Sequence, residues 1–491
     1  MPMGSITIKI QNGGLGLAAP NNSQSVVVMG CCSATDGYTL QSFSQISDLT
    51  NTLGYGPAVE AAAYQLAVAG GSVYVMPVAK THDGYVANGG VLTPTRVGSS
   101  DGYVSVSGKP NDYYKIVVLV SSLGTGQKVT NSNVSVQVSL DGGQNYGGMK
   151  LIPASGTLAL SKAVGAVKGD TGLTLTFAVG SYKYDQGDTF AVNALAPWFS
   201  TTDLAAAFAA LETDPRTWGL VHVVGYNSQI GDSAADATAA AAQSTAIISG
   251  MTAAAANFRF ARAIMGVPNS TDADIISAFA GVGTDPRLIR CATTDQIQSV
   301  ITGMVIERPH SFGLVARLAL INASRSPGII DDGALPGVIS TNRDERRTPG
   351  LYDLGFDVAR TVLGRSGVYC DLGRGSDPST SDFSLIMNGR VMDLVATACT
   401  NAALHFQNTI IKVTSTGKID PVEAATINAY TAAQIVALAG TEISGPPTVS
   451  VYVADNILST QKLRIAVSVI PFGYATNVEM DIGFTNPALT I

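Results

Sequence analysis

Charge is what this chain has least of. Only 13% of its 491 residues are Asp, Glu, Lys or Arg, against roughly 25% in an ordinary globular protein. A surface so poor in charge favours association, which implies that much of it is covered by partners in an obligate assembly. The net charge of −7 is spread along the chain without a basic block, so the electrostatic footprint of a nucleic-acid binder is missing. The five cysteines, Cys31, Cys32, Cys291, Cys370 and Cys399, are odd in number and lack C-x-x-C spacing. They fit a reduced compartment rather than a disulfide framework. The four histidines, His82, His222, His310 and His405, show no metal-ligand spacing with the cysteines, and neither metal nor cofactor is expected. The N-terminus has no continuous apolar segment of the signal-peptide kind. The run 234–258 is alanine-rich, interrupted by Asp236, Gln243 and Asn257. Alanine is too weakly apolar for a membrane span, so this stretch reads as a helix packed on a sheet.

What is present is a patterned chain long enough for about three domains. Residues 26–78 read strand, helix, strand: SVVVMG, then PAVEAAAYQLAVAGG stopped by Gly70 and Gly71, then SVYVMPV. The helix supplies the crossover that parallel strands require. From about Gly84 to Ala196 the segments YVSVSG, YKIVVLV, VSVQVSL, LTLTFAV and DTFAVNA alternate between turns, as in an all-β module. Strand and helix alternate again from Asp203: DLAAAFAALE, WGLVHVVG, the alanine-rich helix, FRFARAIMGV, DADIISAFAGV and RLIRCAT. The expected architecture is thus multidomain, α/β plus α+β. An open α/β sheet domain (21–85 and 197–341) is interrupted by an all-β insertion (86–196). An α+β C-terminal domain (342–477) follows, with helices near 383–408 and 421–439.

The two ends carry the strongest strand patterns. Residues 463–470, LRIAVSVI, place Leu463, Ile465, Val467 and Val469 on one face. After seven residues, VEMDIGF places Val478, Met480, Ile482 and Phe484 on one face. Hairpin loops usually run two to five residues, so this last strand is free to pair elsewhere. At the other terminus SITIKI presents Ile6, Ile8 and Ile10, followed by Gly13, Gly14 and Gly16. Glycine tolerates changed backbone angles at little steric cost, so these three read as a hinge or as an ordinary loop. Residues 1–20 and 478–491 therefore read as arms whose strands join a sheet edge of another copy, or else close the protein's own C-terminal sheet.

Fragments that suggest enzymes are weaker. SLDGGQNY (139–146) resembles an Asp-box turn, but Asp141, Gly142 and Gly143 occur without repeats, and a plain turn suffices. Residues 14–19 superficially match a dinucleotide fingerprint, yet Pro20 and polar residues follow where a helix is needed. No Walker A motif is present. The acidic pairs Asp331–Asp332 and Asp344–Glu345 stand beside arginines as turns or interface ion pairs. No catalytic residue is assigned.

With this layout, the sequence resembles the contractile-tail sheath proteins of myovirus tails and related injection machines. The resemblance is carried by LGYGPAVEAAAYQLAVAGGSVYVMPV, by GVYCDLGRGSD with the helix IMNGRVMDLVATACTNAALHFQN, and by YVADNILSTQKLRIAVSVIPFGYATNVEMDIGF, in that order. It spans most of the chain outside the β insertion. It implies a non-enzymatic subunit that stacks as hexameric rings around a tail tube protein, contracts after a baseplate trigger, and meets baseplate and tail terminator proteins. It implies a place in the virion tail after assembly in the host cytoplasm, with terminal arms that add strands to a neighbour's C-terminal sheet. The alternative is a glycan-binding or glycoside-processing protein that uses the β insertion.

Overall fold

The computed structural model describes residues 22–34, 37–121, 126–128, 134–160, 171–225, 233–345, 349–476, 478–480 and 482–483. Its centre is a six-stranded sheet in the order Leu288–Cys291, Arg262–Gly266, Leu220–Val223, Val26–Gly30, Val73–Pro77 and Gln41–Phe43. The first five strands are parallel and the last, at the edge, is antiparallel. A parallel sheet covered on both faces needs apolar residues on both sides of each strand. Val26–Gly30 meets that condition, being buried along its whole length. Val26 and Val28 face the helices Pro57–Ala69 and Ser311–Leu320. Val27 and Met29 face Thr201–Thr213, Ser233–Ala256 and Asp272–Phe279.

Local signals set several of these helix ends. Pro57 occupies a first-turn position where its missing N–H costs nothing. Ser200 and Asp203 form a reciprocal capping box at the start of the next helix. The alanine-rich helix buries Ala237, Ala240, Ile247, Met251 and Ala254 against the sheet. Among the described residues no helix is long and apolar enough to cross a membrane.

Residues 85–195 build β sheets. Tyr114–Val120 pairs with Thr189–Leu195 and with Ser135–Ser139, and Leu173–Phe177 lies between Val104–Gly108 and Thr157–Ala159. Burial alternates along Tyr114–Val120 as the period-2 reading expects. At Gly108, with φ of +119°, an added Cβ would stand 1.9 Å from the Gly172 carbonyl oxygen, so only glycine lets the two backbones meet. This apolar core is not self-contained: Tyr55, Met304 and Ile306, from outside the β segment, belong to it.

All three strands of a further sheet were absent from the sequence reading. Thr294–Gln298 is flanked by Val305–Pro309 and Val338–Thr341 in an antiparallel sheet. Beyond it, the helices Ile386–Phe406 and Pro421–Ala439 share an apolar core through Val391, Leu394, Val395, Ile435 and Leu438. The second helix begins at Asp420, whose side chain accepts from the Val422 and Glu423 amides. The whole is a mixed α/β protein with several sheets.

Candidate functional site: an open two-stranded sheet

The helix pair carries a two-stranded antiparallel sheet, Thr448–Val451 against Ile465–Ser468, in the register Thr448↔Ser468 to Val451↔Ile465. Along 463–469 burial alternates, with Leu463, Ile465, Val467 and Val469 half-buried against the helices and Arg464, Ala466 and Ser468 exposed. The ladder extends at both ends, through Ser444 N to Ile470 O at 2.8 Å and Tyr452 N to Arg464 O at 3.0 Å. Each strand has one partner among the described residues, so two edges carry backbone groups available for further pairing. On the exposed face Arg464 donates to Asp455 at 2.6 Å and lies over the Tyr452 ring.

Beside the Ile465–Ser468 edge runs an open groove of about 1210 Å³. Its lining includes Phe258, Phe260, Leu404, Leu463 and Ile465, with Ala396 and Ala403 of the long helix.

After the sheet the chain is tied down once more. The Tyr474 hydroxyl donates to Ser324 O at 2.6 Å. Beyond that tether Val478, Met480 and Ile482 are 68%, 77% and 92% exposed. Residues 478–480 and 482–483 lie in no strand, where the sequence pattern predicts one. A strand exists only against a partner, and among the described residues nothing pairs with this segment. Phe484, Ile6, Ile8, Ile10, Gly13, Gly14 and Gly16 lie outside the described residues.

Sequence reasoning missed the buried charges that fasten this region to the central sheet. Arg262, at the start of its strand, is bidentate to Asp393 of the long helix, at 2.7 and 2.8 Å, and also donates to Gly389 O and Pro286 O. An added Cβ at Gly389 would stand 2.6 Å from the Arg262 guanidinium carbon, so the guanidinium would have to shift off its present bonds. Arg390, one position on, is fully buried, and among the described residues its hydrogen bonds all go to main-chain carbonyls. The signal available was the pair Arg390 and Asp393, the two Asp, Glu, Lys or Arg residues of the helix Ile386–Phe406.

The fragments weighed as chemistry are structural. Asp141 accepts from Ser139 Oγ at 2.6 Å, from Asn145 N at 2.9 Å and from Asn145 Nδ2 at 2.7 Å, so its carboxylate is engaged by its own turn. His82 stacks on Trp198 and His405 on Tyr430. His222 is buried on Ser311 Oγ, and burial lowers its pKa to about 3. His310 Nδ1 lies 2.6 Å from Asp295, and Cys370 interacts with the same ring. Burial works against the imidazolium, yet Asp295 holds His310 well above its ordinary value. This trio has the residue types of a nucleophilic site, and all three members are buried. Among the described residues no group of three or more His, Cys, Asp and Glu could hold a metal.

Asp357, in the same interior, gives a pH test. Its carboxylate accepts from Arg374 N at 3.0 Å. Burial pushes its pKa up to about 7, with His310 opposing and Asp371 reinforcing. A carboxyl raised on folding contributes fully below its unfolded value near 3.9 and loses that contribution as pH climbs through about 7. At about 1.36 kcal/mol per unit, the loss approaches roughly 4 kcal/mol. Asp357→Asn is therefore expected to raise the melting temperature at pH 8 and to change it little at pH 4. Equal shifts at the two pH values would count against this account.

The chain as a whole has close counterparts in shape among solved structures. A chain of the anti-feeding prophage baseplate matches with a TM-score of 0.54 at 10% identity, over 99% of this chain and 100% of that one. The contracted helical sheath of the anti-feeding prophage matches at 0.52 and 10%, over 98% and 99%. The contracted PVC sheath complex of an extracellular contractile injection system matches at 0.52 and 10%, over 98% of each. At such identities the likeness is one of fold, and the fold is that of contractile-sheath chains. By sequence the chain belongs to the DUF2586 family, whose N-terminal domain matches residues 3–374. No curated protein matches it.

Proposed function

We propose that this protein is the structural subunit of a contractile tail sheath, one that polymerises around an inner tube and contracts to drive the tube through a target envelope. One observation carries the reading: a chain with the sheath fold over almost its whole length carries a two-edged sheet, and after it Val478, Met480 and Ile482 are exposed with no strand partner among the described residues. Each needs a strand that another copy can provide. Ile6, Ile8 and Ile10 at one end, and Val478, Met480, Ile482 and Phe484 at the other, are the proposed interface residues. Gly13, Gly14 and Gly16 are the proposed hinge. Residues 1–20 and 478–491 act as arms, 86–196 as the inserted domain, and 342–477 as the assembly domain. The partners are further copies in stacked hexameric rings, a tube protein, and baseplate and terminator proteins. The product is a particle tail assembled in the host cytoplasm. The role is mechanical and needs no cofactor.

Negative-stain microscopy of the purified full-length protein tests the reading. Tubes or stacked rings are expected at raised protein concentration. A protein that stays monomeric at every concentration, with or without a matched tube protein, would overturn it.

A further inference from the structure

Ser23 and Tyr474, far apart in sequence, are held at one turn. The turn after helix Ser311–Leu320 is gripped from two sides. Arg390 donates through Nη2 to Ser23 O at 2.9 Å, Leu318 O at 3.0 Å and Ile321 O at 3.2 Å, and through Nη1 to Asn322 O at 3.3 Å. Two residues along, Ser324 O accepts from Tyr474 at 2.6 Å. Ser324 is itself fixed, with N and Oγ both 2.8 Å from Glu442 Oε2. Ala323 between them is fully buried beside Val391 and Leu438. Ser23 is the second residue of the described chain, and Tyr474 is the last tether before the exposed segment at Val478.

We propose that residues 318–324 form a shared anchor that couples the two arms. A pull on the chain beyond Tyr474 is then delivered to Ser23, and a pull at Ser23 returns to Tyr474. The chemistry suits a stiff link. Arg390 reaches its acceptors with a planar fork whose geometry is fixed, and two of them lie at the C-terminal end of a helix, where partial negative charge favours a cation. Every acceptor is a main-chain carbonyl, so displacing the turn displaces both roots at once. Packing around Ala323 resists any intermediate position. In a sheath, neighbours held by the two arms would act on one rigid node instead of two independent ends. This step rests on the assembly reading above.

Two measurements on the full-length protein test it. In Tyr474→Phe the ring stays and one hydroxyl goes, so the fold is retained. Hydrogen exchange in the free subunit is expected to quicken severalfold at amides 22–28 as well as near Ser324. Unchanged exchange at 22–28 would overturn the coupling. For assembly, Tyr474→Phe, Arg390→Lys and the double variant form a cycle read as the critical concentration for tubes. Coupling predicts that the double variant is no worse than the poorer single variant, and effects that multiply would overturn it. If Arg390→Lys does not fold, the exchange result decides. Deleting 478–491 separates the two readings. Tubes that still form without that segment remove the C-terminal arm from the proposed interface, while exchange at 22–28 continues to judge the anchor.

Discussion

Met480→Asp is expected to leave the isolated subunit folded, with wild-type circular dichroism and melting temperature, and to raise the concentration needed for tubes about 100-fold. The monomer should not register the change, because Met480 is 77% exposed and lies in no strand. In the proposed assembly the same side chain turns inward on a neighbour's sheet, between Val478 and Ile482. Burying a side chain of that size contributes about 1.5 to 3 kcal/mol, and an aspartate in its place must also be desolvated. A loss of about 3 kcal/mol per contact corresponds to a little over 100-fold at 1.4 kcal/mol per decade. Aspartate tests the idea better than proline here. In an edge strand every second N–H points away from its partner, and a proline at such a position would be tolerated. Normal tubes from Met480→Asp would remove this segment from the interface, and an unfolded monomer would show that it closes the protein's own sheet.

That prediction turns on what a sequence can and cannot display. The central sheet was legible because its strands are continuous apolar runs between helices with ordinary start and stop signals, as at Pro57, Ser200 and Gly70. The helix Pro421–Ala439 was legible from Asp420 and Pro421 at its start. The alternation of Leu463, Ile465, Val467 and Val469 named the inward face of its strand. By contrast, Thr294–Gln298 reads TDQIQ and Val305–Pro309 reads VIERP. Neither has enough apolar residues to alternate, and both are strands because tertiary pairing overrides local preference. Thr448–Val451, the partner of the C-terminal strand, has two valines in four residues, a pattern too short to separate from a loop. The segment 478–483 shows the converse case. Its alternation is clear, yet pairing is a property of two segments, and among the described residues none pairs with it.

Buried charge is the other illegible feature, and it sets the second large effect: Arg308→Met is expected to destabilise the protein by about 3 to 5 kcal/mol at neutral pH. Arg308 and Asp112 form an ion pair with both side chains at most 2% exposed. Asp112 belongs to the β segment, and Arg308 to a strand outside it. Glu60 stands in the same pocket, bonded to the Tyr55 hydroxyl and to Ser299 Oγ at 2.7 Å. Burial raises the pKa of both carboxyls, and Arg308 is the cation that opposes this. Remove it, and two carboxylates share an apolar space between two parts of the chain that already share a core through Tyr55, Met304 and Ile306. A raised acid pKa means stability that falls as pH rises, so the deficit should be smaller at pH 5 than at pH 8. The same geometry makes residues 86–196 hard to excise: a linker in their place would strip Arg308 of Asp112 and expose Met304 and Ile306. Chemical denaturation of Arg308→Met at the two pH values checks the account. A loss below 1 kcal/mol, or one that grows on acidification, would mean that the pair does not hold the β segment to the body.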